Sequence, residues 1–226
     1  MTVEEQQVSL LEAIALTMLL ALCVVGFVVR RVREEQLEVE RRAKIDVAMR
    51  ELHEQAMCDE LTELPNRRAI FARLKQIDPA ADGGRHAFFL LDLNGFKRVN
   101  DRYGHAAGDG VLLVIAERFK RVARPTDLLA RLGGDEFAVL AHDVDYDGAA
   151  AVGHRYIASL DNEIWVDGVA HQIGVSIGAV LIPDDCIALE DILAYADVAM
   201  YRAKANKTSA LVFYSDIEQR NDVSRA

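Results

Sequence analysis

The sequence predicts an α+β fold, a mainly antiparallel sheet surrounded by helices. Two observations carry this expectation. Apolar segments face each other across Gly133-Gly134 and across Asp167-Gly168. Such pairs are strong hairpin signals, because tight hairpin turns need φ > 0. Helical segments are mixed with these hairpins instead of alternating one for one with strands, which argues against a doubly wound sheet. A transmembrane helix and a helical linker are expected ahead of the folded domain. The expected organisation is 1–29 for the segment with a single membrane-spanning helix, 30–57 for the linker, 58–215 for the folded domain and 216–226 for a flexible tail.

Residues 13–29 are an uninterrupted apolar run, AIALTMLLALCVVGFVV, close to the roughly 20 residues that cross a bilayer. Arg30, Arg31 and Arg33 follow it, and Glu4 and Glu5 precede it. The positive-inside bias puts the C-terminal side in the cytoplasm. A cleaved signal peptide would need a basic leading segment, and none is present. Residues 30–57 are charged, free of Gly and Pro, and rich in helix formers. Ile45, Met49, Leu52 and Ala56 form an incomplete apolar stripe, which fits either a short two-stranded coiled coil or a solvated signalling helix.

Within the domain a helix is expected over 67–77. A buried strand follows, Ala87-Phe88-Phe89-Leu90-Leu91-Asp92-Leu93. Its length and apolarity suit a core strand, and Asp92 is an acid that a plain core strand would not carry. Asn94-Gly95 breaks it. A short helix is expected over 96–103 and a longer amphipathic one over 109–121. Strands over 128–132 and 137–141 flank the Gly-Gly turn. Then come a helix over 148–160, a hairpin of 164–166 with 169–181, a helix over 189–205 and a last strand over 211–214.

The chemistry gathers in Arg131-Leu132-Gly133-Gly134-Asp135-Glu136-Phe137. Glycines without Cβ let another molecule approach the backbone. Two carboxylates beside that bare turn suit a hard divalent cation, and a cation beside open backbone suits a polyphosphate. Alone, such a turn is more often an acidic surface hairpin. The net charge of −10 argues against a general nucleic-acid binder. Cys23, Cys58 and Cys186 are isolated and make neither a zinc pattern nor a disulfide framework.

RLGGDEF is accompanied by Asp59-Glu60-Leu61-Thr62 with Pro65-Asn66-Arg67-Arg68. Further on come LDLNGFKRVND from Leu91, GHAAGD from Gly104, Val175-Ser176-Ile177-Gly178, and Ala196-Asp197 through Ala203-Lys204. In these residues, from about 58 to 214, the chain resembles the GGDEF family of diguanylate cyclases. The resemblance implies a palm-like fold related to ferredoxin-like cyclases. It also implies condensation of two GTP into cyclic di-GMP with release of two pyrophosphates, and a homodimer, since each domain holds one GTP.

By the same resemblance, Asp92, Asp135 and the Leu93 carbonyl hold Mg²⁺ or Mn²⁺, with Glu136 a further ligand or an aid in deprotonating the 3′-hydroxyl. Asn100 and Asp109 match guanine-binding positions, and His105 between them either lines that pocket or packs the loop. Phe96 (through its backbone N–H), Lys97, Gly133, Gly134 and Lys204 match positions near the phosphates. Arg124-Pro125-Thr126-Asp127 has the spacing of the family's product-inhibition site, with Arg155 as its second arginine. Three departures stand out. Asn94 replaces a commoner Asp, Glu63 replaces a glycine, and Lys207-Thr208-Ser209 replaces the usual Gly-Arg-Asn. Thr208 cannot make the bidentate phosphate contact of an arginine, and Lys207 is the nearest substitute as a point charge. The expectation is therefore a product-inhibited cyclase anchored in the bacterial inner membrane with its catalytic domain in the cytoplasm. A cyclic di-GMP receptor of weak or no activity is the alternative.

Overall fold

The structure is a computed structural model that describes residues 57–78, 84–205 and 210–223, with helical positions 17, 18, 20, 22, 26, 30, 31, 33–38 and 41 of the N-terminal part. The chain divides into two compact units, Met1–Ala56 and Met57–Ala226. In the first, the described positions are helical and exposed, Met18, Leu20 and Leu22 among them. Arg30 and Arg31 pair with Glu34 and Glu35 one turn on. Most of the expected membrane span over 13–29, and the apolar stripe of the linker, lie outside the described residues. Among the described residues, no helix is long and apolar enough to cross a membrane.

The second unit is built on a five-stranded sheet. Its elements are α1 (Arg67–Leu74), β1 (His86–Asn94), α2 (Phe96–Tyr103), α3 (His105–Val122), β2 (Leu128–Gly133), β3 (Glu136–His142) and α4 (Tyr146–Ala158). The chain continues with β4 (Ile164–Val166), β5 (Val169–His171), β6 (Gly174–Ile182), α5 (Leu189–Lys204), β7 (Ala210–Phe213) and α6 (Tyr214–Val223). The sheet order is β2-β3-β1-β6-β7, with β4-β5 as a separate two-stranded ribbon. Every pairing in the large sheet is antiparallel except β6 with β7, which is parallel. The sheet is thus mixed and mainly antiparallel, as expected.

Alternation along β1 sorts its side chains between two cores. Ala87, Phe89, Leu91 and Leu93 pack with Val111, Ile115 and Phe119 of α3 and Val152 and Tyr156 of α4. Phe88 and Leu90 pack on the other face with Ile70 and Leu74 of α1 and Ile192, Ala196 and Met200 of α5. Phe119 ties the first core together, with edge contacts to Phe137 at 5.3 Å and Tyr156 at 5.2 Å. Gly178 lets α5 lie directly on β6, since a Cβ there would collide with the Ala196 carbonyl and the Met200 amide.

Two expectations need correction. The long strand over 169–181 is two strands in different sheets. β5 ends at His171 and β6 starts at Gly174. The chain changes sheet at Gln172-Ile173, a break that carries no turn dipeptide, so the apolar run of β6, buried on both faces, reads as a continuation of β5. The tail expected to be flexible from 216 is helical to Val223. Its start is fixed by Tyr214, stacked on Tyr195 at 3.9 Å, and by Asp216, which accepts from the Tyr146 hydroxyl at 3.2 Å.

Candidate active site

The period of β1 dictates where Asp92 goes. It follows Phe88 and Leu90 onto the α1/α5 face at the end of the strand. Register places Glu136 of β3 on one side of it and Ser176 of β6 on the other. Ser176, fully buried, donates to Asn94 Oδ1 at 3.0 Å. Lys204, the last residue of α5, reaches Asp92 Oδ2 at 2.8 Å. Arg67, the first of α1, reaches Glu136 Oε2 at 3.5 Å. Burial raises the Asp92 carboxyl above its ordinary value. Lys204 opposes this, and the charge of Asp135 adds to it. Ionised Asp92 is therefore a strained charge that a second cation would relieve.

The Gly133-Gly134 turn presents Asp135 and Glu136 beside it. Gly133 has φ 132° and Gly134 φ 54°, values that side chains disfavour. A Cβ at either would meet nothing within 4 Å, so backbone conformation and not space calls for glycine. The Asp135 carbonyl accepts from Leu93 N–H at 3.2 Å, which ties the turn to the end of β1.

The turn is held from behind by a residue to which the motifs assign no role. Arg131 is 9 % exposed. Its Nε and Nη2 both donate to the Gly134 carbonyl, at 3.2 and 2.9 Å. Its Nη1 donates to Asp59 Oδ1 at 2.8 Å. Asp59 also accepts from the Thr62 amide and hydroxyl. Burial works against the Asp59 charge, but the bonds from Thr62 and Arg131 outweigh it and hold the pKa below the usual value. The one signal in the sequence is an arginine inside the apolar strand LLARL.

On the adjoining α2 and α3, Asn100 and Gly108 meet. A Cβ at Gly108 would collide with Asn100 Oδ1, an oxygen that is buried with no hydrogen-bond partner. Buried polar atoms without partners are uncommon and point to a ligand or water. Asp109 and His105 are exposed on the first turns of α3, and Lys97 is exposed on α2. Phe96 buries its ring, at 6 % exposure. Gly95 caps α2 without a side chain, which leaves backbone N–H groups there to receive an anion.

Asp92, Asp135 and the carbonyls around them are hard oxygen donors of the kind Mg²⁺ or Mn²⁺ takes. Among the described residues no group of three or more acid, histidine or cysteine side chains stands close enough to hold a metal. Glu136 is turned toward Arg67. The fit is thus to two carboxylates with backbone oxygen, not to a closed cage. Lys207 and Thr208 lie outside the described residues.

At the far end of β2 the Arg124–Asp127 turn closes on itself. Asp127 N–H donates to the Arg124 carbonyl at 3.0 Å, and Arg124 N–H donates to Asp127 Oδ2 at 3.2 Å. The Asp127 side chain is 0 % exposed, and Arg155 Nη2 stands 3.9 Å from Oδ2. Asp127 Oδ1 and Arg155 Nη2 are both buried without hydrogen-bond partners. Arg124 is exposed. Asp127 and Arg155 are brought together, while the accessible member of this group is Arg124.

A helix-flanked mixed sheet with paired acids and an uncapped helix start at one end is an architecture for phosphates and divalent cations. The sequence profile of the family described as diguanylate cyclase, GGDEF domain, matches residues 56–210. The chain belongs to this family. It is 42% identical over 158 residues to the diguanylate cyclase TpbB of Pseudomonas aeruginosa, covering 68% of this chain and 36% of that protein. It is 37% identical over 176 residues to MucR, a bifunctional diguanylate cyclase/cyclic di-GMP phosphodiesterase of the same species, covering 77% of this chain and 26% of that one. The chain thus matches well under half the length of these relatives. Among solved structures, the isolated GGDEF domain of TpbB from Pseudomonas aeruginosa superposes with a TM-score of 0.66 at 37% identity, covering 72% of this chain and 99% of that one. The coiled-coil and GGDEF segment of DgcB from Caulobacter crescentus, solved with c-di-GMP, gives 0.70 at 25% identity, covering 81% and 97%.

Proposed function

We propose that the domain joins two GTP molecules into cyclic di-GMP and releases two pyrophosphates. The observation that carries this reading is the meeting of Asp92 with the Gly133–Glu136 turn at one end of the sheet, beside the partnerless oxygen of Asn100. Asn100 and Asp109 read the guanine edge, Asp109 accepting from N1–H and the 2-amino group. Backbone N–H groups at the start of α2 receive phosphate oxygens, and Lys204, 39 % exposed beside Asp92, turns its ammonium to the same polyanion. Asp92, Asp135 and the Leu93 carbonyl are the protein's ligands for Mg²⁺ or Mn²⁺. When bound, the ion offsets charge on the transferring phosphoryl group and the leaving pyrophosphate. Glu136 is a further ligand or helps to take the proton from the attacking 3′-hydroxyl. Each domain holds one GTP, so two copies must face each other, and a homodimer is required for turnover.

Arg124 is the exposed arm of a product-inhibition site completed by Asp127 and Arg155. The apolar run over 13–29 anchors the chain in the bacterial inner membrane with the domain in the cytoplasm. A second reading, a cyclic di-GMP receptor with weak or no turnover, draws on one feature, Lys207-Thr208-Ser209 in place of Gly-Arg-Asn.

The test is to incubate the purified chain with GTP and Mg²⁺ and to analyse the products by mass spectrometry. Cyclic di-GMP and pyrophosphate should appear in a molar ratio of about one to two. Unreacted GTP, together with calorimetric binding of added cyclic di-GMP, would establish the receptor reading instead.

A further inference from the structure

Helix α2 has a second face. Arg98 and Arg102 stand one turn apart, and Asn100 between them points the other way. On the arginine side a cleft of about 230 Å³ opens between α2 and the β4–β5 ribbon, lined by Gly95, Arg98, Arg102, Tyr103, His171 and Gln172 among others. Its walls are built and not merely adjacent. His171 is 5 % exposed and meets the Tyr103 ring edge-on at 5.1 Å. The Arg102 guanidinium lies over that same ring at 5.3 Å. Gly95 lets the Arg98 guanidinium rest against the backbone, since a Cβ there would come within 2.9 Å of Nη2.

The two arginines have no carboxylate partner among the described residues. The chain has 36 acidic and 26 basic residues, so a carboxylate could readily have been placed beside them. Two exposed guanidinium groups that line one cleft with an imidazole and an amide supply donors for a doubly charged oxyanion. The volume is below the roughly 300–1,000 Å³ of sites that take drug-sized ligands, which fits a phosphate group and not a dinucleotide.

We propose that this cleft binds a phosphate-type anion at a site that adjoins the substrate cradle at Gly95 but lies on the other face of α2 from Asn100. The anion comes either free, as pyrophosphate, or as the phosphate of a mononucleotide. Because α2 carries Asn100 on its opposite face, occupancy here lies one helix away from the guanine position.

The experiment is calorimetric titration of the purified full chain with inorganic pyrophosphate and, in a second arm, with guanosine monophosphate, both in excess EDTA. Wild type should bind pyrophosphate at this cleft, and the nucleotide both here and at the guanine cradle. The Arg98→Gln/Arg102→Gln variant should lose at least about tenfold in affinity with its melting temperature and GTP turnover retained. Asp109→Ala, which impairs the guanine cradle, should bind pyrophosphate as wild type does. Tighter binding in the first arm identifies the free anion as the ligand, and tighter binding in the second identifies the nucleotide. Absence of binding in both arms, or equal affinity in wild type and the double-arginine variant, overturns the proposal. A variant that melts early is replaced by Arg102→Gln alone, which leaves Arg98 packed on Gly95 and should still weaken binding.

Discussion

The two ends of β2 carry two acidic turns built on opposite plans. At one end, the backbone of Arg124–Asp127 closes on itself. The Arg124 and Asp127 N–H groups find oxygens within the turn, and the Asp127 side chain is sealed beside Arg155 with its Oδ1 lacking a hydrogen-bond partner. At the other end, Gly133–Glu136 leaves its acids outward and takes its support from behind, through Arg131. The difference teaches how one strand can serve two purposes. A turn closed through its own backbone keeps its carboxylate from solvent, with one oxygen left unpartnered. A turn braced through its backbone carbonyl keeps its carboxylates available.

The contrast can be broken most severely at Asp92. Asp92→Asn should lower cyclic di-GMP formation by about 100-fold or more, because on the proposed reading the metal loses a carboxylate ligand. It should also raise the melting temperature by about 1–3 °C, because burial opposes the ionised carboxyl. Turnover assays and thermal melts check the two halves separately.

Arg131→Gln should affect both stability and rate. It removes the partner of a largely buried carboxylate, with side-chain exposures of 10 % and 19 %, which costs about 3 kcal/mol. It also frees the Gly134 carbonyl, so turnover should fall by about tenfold. The Asp59 pKa is depressed in the folded chain. Its contribution is complete above the ordinary 3.8 and is lost as pH falls through the lower folded value. Acid unfolding of Arg131→Gln should therefore be shallower below that pH, as followed by circular dichroism.

Arg124→Ala tests the opposite turn. It should weaken cyclic di-GMP binding by roughly 10- to 100-fold, the worth of one charge-assisted contact, and leave the initial rate of GTP turnover nearly intact. Calorimetry and initial-rate assays report the two quantities.

The smallest effect concerns a third turn. Glu63 has φ 56° where the family resemblance places a glycine, and it is exposed. Glu63→Gly relieves the left-handed strain and gives back part of the gain as unfolded-state entropy. A net stabilisation of about 0.5 kcal/mol should be visible in denaturant melts.

The two turns also differ in how far local sequence reveals them. The acids of the open turn and Asp92 are legible because they interrupt apolar strands, where a carboxylate has no packing role. The hairpin at Gly133-Gly134 and the layers around it follow from periodicity. The brace is not legible. Arg131 and Asp59 are 72 residues apart, and no local pattern joins them. The apparent fusion of β5 with β6 comes from a break at Gln172-Ile173 that carries no turn dipeptide. Helix α6 is hidden because Tyr214 is fixed by Tyr195 on a different helix. The fully buried side chain of Asp127 is likewise hidden, since RPTD reads as a surface turn. In the brace, in α6 and at Asp127, a long-range contact overrides local chemistry.

The central claim is that the open turn of β2 performs the chemistry without carrying the fold. The initial rate of cyclic di-GMP formation from GTP and Mg²⁺ by Asp135→Ala, with its melting temperature taken on the same sample, tests this most directly. The account predicts loss of product by about 100-fold or more with melting within about 3 °C of wild type. Wild-type turnover in a folded Asp135→Ala chain would contradict it.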